Sequence, residues 1–212
     1  ITRVQQLVSG GAIGDVRLVR GVFTYVLENP EDVRMDPEMG GGSLWDLGSY
    51  CVRFFRSTLQ QEPVEVGGWE NRSDRGVDLS LSGSLRFPSG VHAHFFSSLE
   101  SFGHVEVDFL GTKGCIQVTS PWGNQMRRVP EVRLIRHDGS PPTGTWDDGM
   151  LNQTVETETY PNINAYGLEV ENMVAGILEG QKPVIPLSDS RQNTKIVLAL
   201  LESAHEGKVV RV

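Results

Sequence analysis

The middle of the chain, from residue 63 to residue 160, is a series of short segments in which apolar and polar residues alternate. A period of two is typical of β-strands that bury one face of a sheet. Glycine-containing connections such as "FPSGV" and "LGTKGC" favour tight turns between neighbouring strands. We therefore predict an antiparallel meander, with residues 120–130 and 138–150 as its longest irregular segments. The strand segments are "PVEVGGWEN", "DLSLSGSLRF", "GVHAHFFSSL", "HVEVDFLG", "CIQVTS", "EVRLIRH" and "QTVETETY".

The second of these segments predicts a sheet that is packed on one side only. One of its faces is apolar, and the other carries serines and an arginine. Antiparallel sheets commonly bury one face and leave the other polar. The open face is then available to solvent or to a partner subunit. The apolar face is formed by Leu79, Leu81, Leu85 and Phe87, and the polar face by Ser80, Ser82, Ser84 and Arg86.

Helical patterns flank the strands. The chain begins with a short helix and the alternating strand "GDVRLVRGVFTYVL", and a second helix is predicted from about Ser43 to Leu59. Apolar residues follow one stripe of that helix, which indicates that it lies on the sheet. Two further helices, one stopped at Gly180 and one from about Ser188 to His205, precede a last strand, "KVVRV". The pattern predicts a single α+β domain over residues 1–212, with a large, mostly antiparallel, open-faced sheet and helices packed on one side.

The net charge and the cysteines of the 212 residues limit the kinds of partner and the cellular compartment that can be expected. The net charge is −8 and no basic stripe is present, which argues against a nucleic acid or an anionic membrane as the main partner. No apolar run approaches the ~18 residues that a membrane-spanning helix needs. The two cysteines, Cys51 and Cys115, show no spacing typical of a disulfide framework or a metal site. We therefore predict a protein of a reducing compartment, the cytoplasm.

Three consecutive glycines precede the predicted second helix, in the stretch "DPEMGGGSLWDLGSYC". A glycine-rich turn before a helix can present backbone N–H groups to a phosphate. The stretch does not match G-x-G-x-x-G, no predicted strand leads directly into it, and no P-loop lysine follows. The other glycine cluster, "GGAIG" at residues 10–14, ends a helix instead of starting one. These residues therefore predict no dinucleotide-binding site.

Asp46 and Tyr50 lie four positions apart in the predicted second helix and share one of its flanks. One interpretation is structural: Ser43 and Asp46 form a capping box, and Tyr50 is a surface phenol. The other interpretation makes the pair an acid/base unit. A phenol with a pKa of ~10 is a poor base near neutral pH, and a neighbouring carboxylate raises that pKa further. The catalytic interpretation therefore requires a nearby cation, for which the chain offers Arg34.

His92 and His94 share a face of one predicted strand, in the manner of the first two ligands of several zinc sites. The sequence places no third ligand near them, because the other histidines fall on other elements. A solvated or interfacial sheet face explains the pair without a metal. We therefore predict no metal site.

Four stretches together resemble the C-terminal, substrate-side domain of the glucose-fructose oxidoreductase / inositol dehydrogenase / MocA family. They occur in the family's order and span nearly all of the 212 residues. The stretches are "VQQLVSGGAIGDVRLVRGVF", "DVRMDPEMGGGSLWDLGSYCVRFFR", "FLGTKGCIQV" and "NAYGLEVENMVAGILEGQKPVIPLSDSRQNTKIVLALLESAHEGKVV".

The resemblance implies an oxidoreductase whose Rossmann domain binds NAD or NADP, followed by an α+β domain that binds substrate and forms homo-oligomers through its sheet. The family's D-x-G-x-H/Y helix falls on Asp46, Gly48 and Tyr50, and the tyrosine is similar to that of the sugar and dihydrodiol dehydrogenase branch. By this resemblance Tyr50 exchanges the proton of the substrate hydroxyl, and Asp46 orients the tyrosine or the substrate. Arg34 and Trp45 are the implied substrate-binding residues. The expected reaction is hydride transfer between nicotinamide and a sugar, polyol or related secondary alcohol.

The family's Rossmann fingerprint and its Glu-Lys-Pro segment, which supplies a cationic lysine, do not occur in this sequence. The resemblance places both before Ile1, so the chain alone is expected to be inactive, and no cofactor-binding residue is predicted within it. Two alternatives stay open. One is a non-catalytic sensor or regulatory scaffold of the same fold that binds protein through the sheet. The other is a glycosidase that oxidises its substrate transiently with nicotinamide.

Overall fold

The structure, a computed structural model, describes residues 1–122, 129–140, 152–161 and 163–212. Most of the two predicted irregular segments lies outside these ranges. Within the described residues the chain forms a nine-stranded sheet with helices on one side, which confirms the predicted α+β class. The strands are β1 (Val16–Val26), β2 (Glu65–Arg72), β3 (Asp78–Arg86), β4 (His92–Ser98), β5 (Glu100–Gly111), β6 (Gly114–Thr119), β7 (Glu131–His137), β8 (Gln153–Thr159) and β9 (Val210–Arg211). The helices are α1 (Thr2–Ser9), α2 (Ser49–Leu59), α3 (Ala165–Glu179) and α4 (Leu187–Glu206), with 3-10 turns at Val33–Met35 and Pro37–Met39 and a π-helical turn at Leu44–Gly48.

The strand order is β8-β7-β6-β5-β1-β4-β3-β2-β9, so the predicted continuous meander is wrong at one place. Strand β1 lies between β4 and β5, parallel to the first and antiparallel to the second. Thr24 of β1 pairs with both Ser98 and His104, and Leu27 N–H donates to Leu99 O at 2.8 Å. The connection from β4 to β5 therefore passes around the end of β1 instead of closing a hairpin. The periodicity predicted each strand but carried no information about this insertion.

Strand β3 shows the predicted division of the sheet into a buried and an open face. Leu81, Leu85 and Phe87 are buried on the side of the helices. Ser82 and Arg86 are exposed on the other side. The prediction is wrong at the start of the strand, where Ser80 is buried and Leu79 only partly so. Over the rest of β3 the helices cover one side of the sheet, as the alternation predicts.

The open face of the sheet is mostly polar, and two large aromatic side chains are exposed on strands of the sheet, Trp69 on β2 and Phe102, 83% exposed, on β5. His92 and His94 of β4 are both exposed there, and His94 Nδ1 lies 2.9 Å from Ser84 Oγ in β3. Trp69 of β2 is 68% exposed. It pairs across the strands with Ser82, so nothing large packs beside it in the sheet ladder.

Helices α2 and α4 cover the core side of the sheet. Helix α4 lies on β2, where the N–H of Gly68 donates to Ser203 Oγ at 3.0 Å. The two helices are joined by the buried guanidinium of Arg56, which lies 2.6 Å from a Glu62 oxygen and 3.3 Å from Asp189 at the start of α4. The predicted apolar stripe of the second helix is buried throughout. Its members are Leu44, Leu47, Cys51, Phe54, Phe55 and Thr58.

Helix α3 carries an apolar stripe, yet none of its residues is buried. Val170, Met173 and Ile177 are 63%, 64% and 71% exposed. The helix ends at Gly180 in the left-handed conformation (φ 69°), as predicted. A contiguous apolar surface of this kind is typical of a contact region. Neither α3 nor any other helix in the described ranges is long and apolar enough to cross a membrane.

Candidate active site

Asp46 lies on the π-helical turn, and Tyr50 follows it at the start of α2. The prediction that Ser43 caps a regular helix is wrong. Ser43 has helical backbone angles (φ −68°, ψ −32°) and makes no cap hydrogen bond. Its hydroxyl donates instead to Asp78 Oδ2 at 2.7 Å, and the Leu44 N–H donates to the same oxygen at 2.7 Å. A carboxylate from β3 therefore takes the capping role, and burial raises its pKa against the effect of these two hydrogen bonds.

The glycine run before the turn, Gly40–Gly42, serves close packing and not phosphate binding. The three N–H groups donate to backbone carbonyls of the preceding 3-10 turns, at 2.9 to 3.2 Å. A Cβ on Gly41 would lie 2.4 Å from Arg34 O. A Cβ on Gly42, whose φ is +109°, would lie 2.0 Å from Asp78 Oδ1. The absence of side chains at Gly41 and Gly42 therefore lets the backbone pass close to Arg34 and Asp78.

The carboxylate of Asp46 is held by two side chains from outside the turn. The Tyr25 hydroxyl, on β1, donates to Asp46 Oδ2 at 3.0 Å. Arg34 Nε lies 2.8 Å from the same oxygen, although its N–H does not point along the line to it, so this contact is an ion pair. Asp46 hydrogen-bonds Tyr25 and not Tyr50. The predicted pair therefore shares a flank without a direct hydrogen bond between its members.

Tyr50 stands in a group of aromatic rings and is 41% exposed. Its ring meets Phe23 and Trp122 edge-on, with centroids 5.8 Å away in both cases. Phe23 and Trp122 are stacked on each other at 4.8 Å. Burial raises the pKa of the Tyr50 hydroxyl, Asp46 adds to the rise, and Arg34 opposes it. The phenol is therefore protonated near neutral pH, as the sequence indicated.

A cleft of about 650 Å³ opens beside Tyr50. Its wall is aromatic at Tyr50, Trp122 and Tyr166, and charged at Arg3 and Glu169. Apolar walls with a few polar groups are typical of small-molecule sites. The cleft thus offers an aromatic surface to a ligand and a phenol hydroxyl at its edge.

Arg34 and Asp46 form an ion pair, and both act electrostatically on Tyr50, so these three predicted residues form one group. Of the three, only Tyr50 lines the cleft. Trp45 is partly buried against the hydrophobic core and does not line the cleft. Its substrate-binding role stays a prediction.

Sequence reasoning missed two neighbours of this group, Tyr25 and Trp122. A signal for Tyr25 exists: it follows Phe23 by two residues in β1 and therefore shares the buried face of that strand. Trp122 lies beyond the end of β6 in a segment without periodicity, so no pattern could place it.

Among the described residues, no group of three or more histidine, cysteine or acidic side chains is arranged to hold a metal. Cys51 and Cys115 are both unpaired. Burial raises the pKa of the Cys115 thiol to about 11. The chemistry that this part of the structure offers is therefore that of a phenol, a carboxylate and a guanidinium.

Comparisons with known proteins show the family of the chain. Residues 1–117 match the family model for the GFO/IDH/MocA C-terminal domain. The trans-1,2-dihydrobenzene-1,2-diol dehydrogenase of Oryctolagus cuniculus is 33% identical over 200 residues, which is 90% of this chain and 55% of that protein. The D-xylose 1-dehydrogenase (NADP(+)) 2 of Haloferax volcanii is 26% identical over 211 residues, or 99% of this chain and 60% of that protein.

The fold also matches solved structures. The aldose-aldose oxidoreductase of Caulobacter crescentus, solved with glycerol, superposes with a TM-score of 0.80 at 25% identity, over 100% of this chain and 60% of that one. The chain thus spans somewhat more than half the length of the relatives that it matches. The family match and the fold agree, and the chain belongs to the GFO/IDH/MocA oxidoreductase family as its C-terminal domain.

Proposed function

We propose that the full-length protein is an NAD(P)-dependent oxidoreductase that transfers hydride between nicotinamide and a secondary alcohol of a sugar, polyol or diol. The observation that carries this proposal is the placement of Tyr50 at the edge of an aromatic cleft, next to a fixed Asp46. The related dehydrogenases are named for a diol and for a sugar, and the second for NADP. We further propose that the protein works in the cytoplasm, where its two unpaired thiols stay reduced.

No glycine-rich turn among the described residues is arranged to bind the phosphates of a dinucleotide. The only glycine run before a helical turn has its N–H groups bound to backbone carbonyls. Other residues of the full-length protein would hold the cofactor, which supplies the hydride-accepting or hydride-donating ring when bound. This chain would then contribute the wall of the site that handles the proton and the substrate, and would be inactive alone.

The electrostatics of Tyr50 favour proton donation. Because burial and Asp46 raise its pKa, the hydroxyl is neutral near pH 7 and can give its proton to the oxygen of a carbonyl that is being reduced. In the reverse direction the phenol must accept a proton as phenolate, which a nearby cation favours. Arg34 lowers the pKa of Tyr50, but its effect is smaller than the rise caused by burial and by Asp46. Oxidation of an alcohol therefore requires a second cation from elsewhere in the full-length protein.

The proposal is tested with the purified full-length protein. Nicotinamide absorbance is followed with NAD and with NADP, in both directions, against a panel of aldoses, cyclic polyols and vicinal diols and the matching ketones. We expect turnover with at least one member of the panel. No turnover with any of them, together with stable self-association, would favour the non-catalytic scaffold. Release of a glycoside's leaving group without net reduction of nicotinamide would favour the glycosidase.

We also propose that the open face of the sheet forms a homo-oligomer. This face is polar at its serines and histidines, and it exposes Trp69 without a large neighbour in the ladder. Exposed aromatic side chains on a flat surface are the usual centres of protein interfaces.

We expect the full-length protein to be larger than a monomer by light scattering. We expect Trp69→Glu to weaken the association by about tenfold or more, because it replaces a large exposed aromatic side chain of this face by a charge. Leu198→Glu is the matched control, since Leu198 is 53% exposed on α4, on the opposite side of the sheet. A monomeric mass at high protein concentration would disprove the proposed interface.

A further inference from the structure

The Asp46 carboxylate is held through only one of its two oxygens. Oδ2 accepts the hydrogen bond from Tyr25 at 3.0 Å and lies 2.8 Å from Arg34 Nε. No described residue hydrogen-bonds Oδ1, and the side chain is 23% exposed. An ionised carboxylate has about four lone-pair sites over its two oxygens. With respect to the described residues, Oδ1 therefore keeps its full capacity to accept a hydrogen bond.

We propose that Tyr25 and Arg34 are positioning residues, which fix the Asp46 carboxylate so that Oδ1 accepts a hydrogen bond from the substrate hydroxyl next to Tyr50. The inference rests on the function proposed above. It assigns a role to Tyr25 for the first time, and it makes Arg34 act through Asp46 instead of through direct contact with substrate.

The two residues that hold Asp46, Tyr25 and Arg34, are themselves placed by the surrounding backbone. Tyr25 belongs to β1 and lies between Thr24, which pairs with both neighbouring strands, and Val26, which pairs with β5 after a register shift. Arg34 Nη1 lies 3.1 Å from Asp32 Oδ1, and that oxygen also accepts the Arg34 N–H at 2.9 Å. The Arg34 carbonyl in turn accepts the Gly42 N–H at 2.9 Å. The guanidinium is thus held between two carboxylates and cannot follow a moving ligand freely.

The ionisation of Tyr25 separates its role from that of Tyr50. Burial, and then the charge of Asp46, raise the pKa of Tyr25 to about 12. At any physiological pH its hydroxyl is a hydrogen-bond donor with its proton in place. It can orient the carboxylate but does not exchange protons with substrate. Because Tyr25 and Arg34 share one oxygen, loss of either lets the carboxylate rotate, and small misplacements of an orienting group lower the rate of the reaction strongly.

The inference is tested by a double-mutant cycle on the full-length protein, with Tyr25→Phe, Asp46→Asn and the double variant. We expect Tyr25→Phe to lower kcat about tenfold with KM within about threefold, since it disturbs orientation more than binding. In the Asp46→Asn background the same change should lower kcat by less than about twofold, because its effect passes through Asp46. If the double variant loses kcat by the product of the two single-variant factors, the inference is wrong.

A matched control is Thr24→Val, which removes a hydroxyl from the residue that precedes Tyr25 in β1. Thr24 Oγ1 donates to Phe102 O at 2.6 Å and accepts the His104 N–H at 3.1 Å, and no hydrogen bond joins it to Asp46. If Thr24→Val also lowers kcat about tenfold, the Tyr25 effect is a general distortion of the strand and the inference fails.

A crystal structure of the full-length Tyr25→Phe variant gives a readout that does not depend on turnover. We expect the Asp46 carboxylate to turn away from its present orientation, and an unchanged carboxylate would contradict the inference. The two proposals can therefore fail separately. Absence of wild-type turnover rejects the proposed reaction, whereas multiplying effects in an active enzyme reject only the positioning role.

Discussion

Tyr50→Phe in the full-length protein should lower turnover by ~100-fold or more, which is the usual contribution of a positioned proton donor. The change removes one hydroxyl and leaves the ring. The edge-on contacts of that ring with Phe23 and Trp122 involve no hydroxyl, so they persist. Steady-state kinetics and a thermal melt of the same preparation should therefore show a large loss of kcat at nearly unchanged stability.

The matched control is Ser49→Ala, one position earlier in α2. The Ser49 hydroxyl donates to Trp45 O at 2.9 Å and takes no part in the group around Asp46. Its loss should leave kcat within about twofold, because only a local backbone contact is removed. Unchanged turnover in Tyr50→Phe would remove the phenol from the mechanism.

Gly42→Ala should destabilise the protein by about 3 kcal/mol or more, because two independent penalties add. The backbone at φ +109° disfavours any side chain, and the new Cβ would lie 2.0 Å from Asp78 Oδ1. That carboxylate also receives the Ser43 hydroxyl and the Leu44 N–H, so its displacement would loosen the turn that carries Asp46. We expect a lower midpoint of thermal unfolding together with reduced turnover in the full-length protein.

Gly40→Ala separates the two penalties. Gly40 also has a positive φ, of +72°, but a Cβ there would meet nothing within 4 Å. Only the backbone strain remains, so we expect a loss of about 1 kcal/mol. Equal destabilisation by the two substitutions would show that the contact with Asp78 does not matter.

The strands and the buried stripe of α2 could be predicted because they depend on local periodicity. The alternation in β3 alone separated Leu81 and Leu85 from Ser82 and Arg86. The insertion of β1 between β4 and β5 could not be predicted in this way. Which strands become neighbours depends on contacts between residues far apart in sequence, and periodicity records no such contacts.

In the candidate site, too, the features that depend on local sequence could be predicted, and the long-range contacts could not. The spacing of Asp46 and Tyr50 placed them on one flank, and the need for a cation near the phenol pointed to Arg34, which the family resemblance also implied. The contacts that fix Asp46 and the turn below it come from other elements: Tyr25 is 21 residues from Asp46, and Asp78 is 35 residues from Ser43. The capping box failed for this reason, since a buried carboxylate from β3 competed for the hydroxyl that a local rule assigns to the helix.

The central place of β1 has a consequence for how the chain is made. It precedes every other described strand of this sheet in sequence, yet its two neighbours start only at His92 and Glu100. At roughly 5–20 residues per second, the nascent β1 waits on the order of seconds with both hydrogen-bonding edges unpaired. Joining its partners then requires contacts of long sequence separation, which fold slowly. Until then the unpaired edges of β1 are open to pairing with other chains.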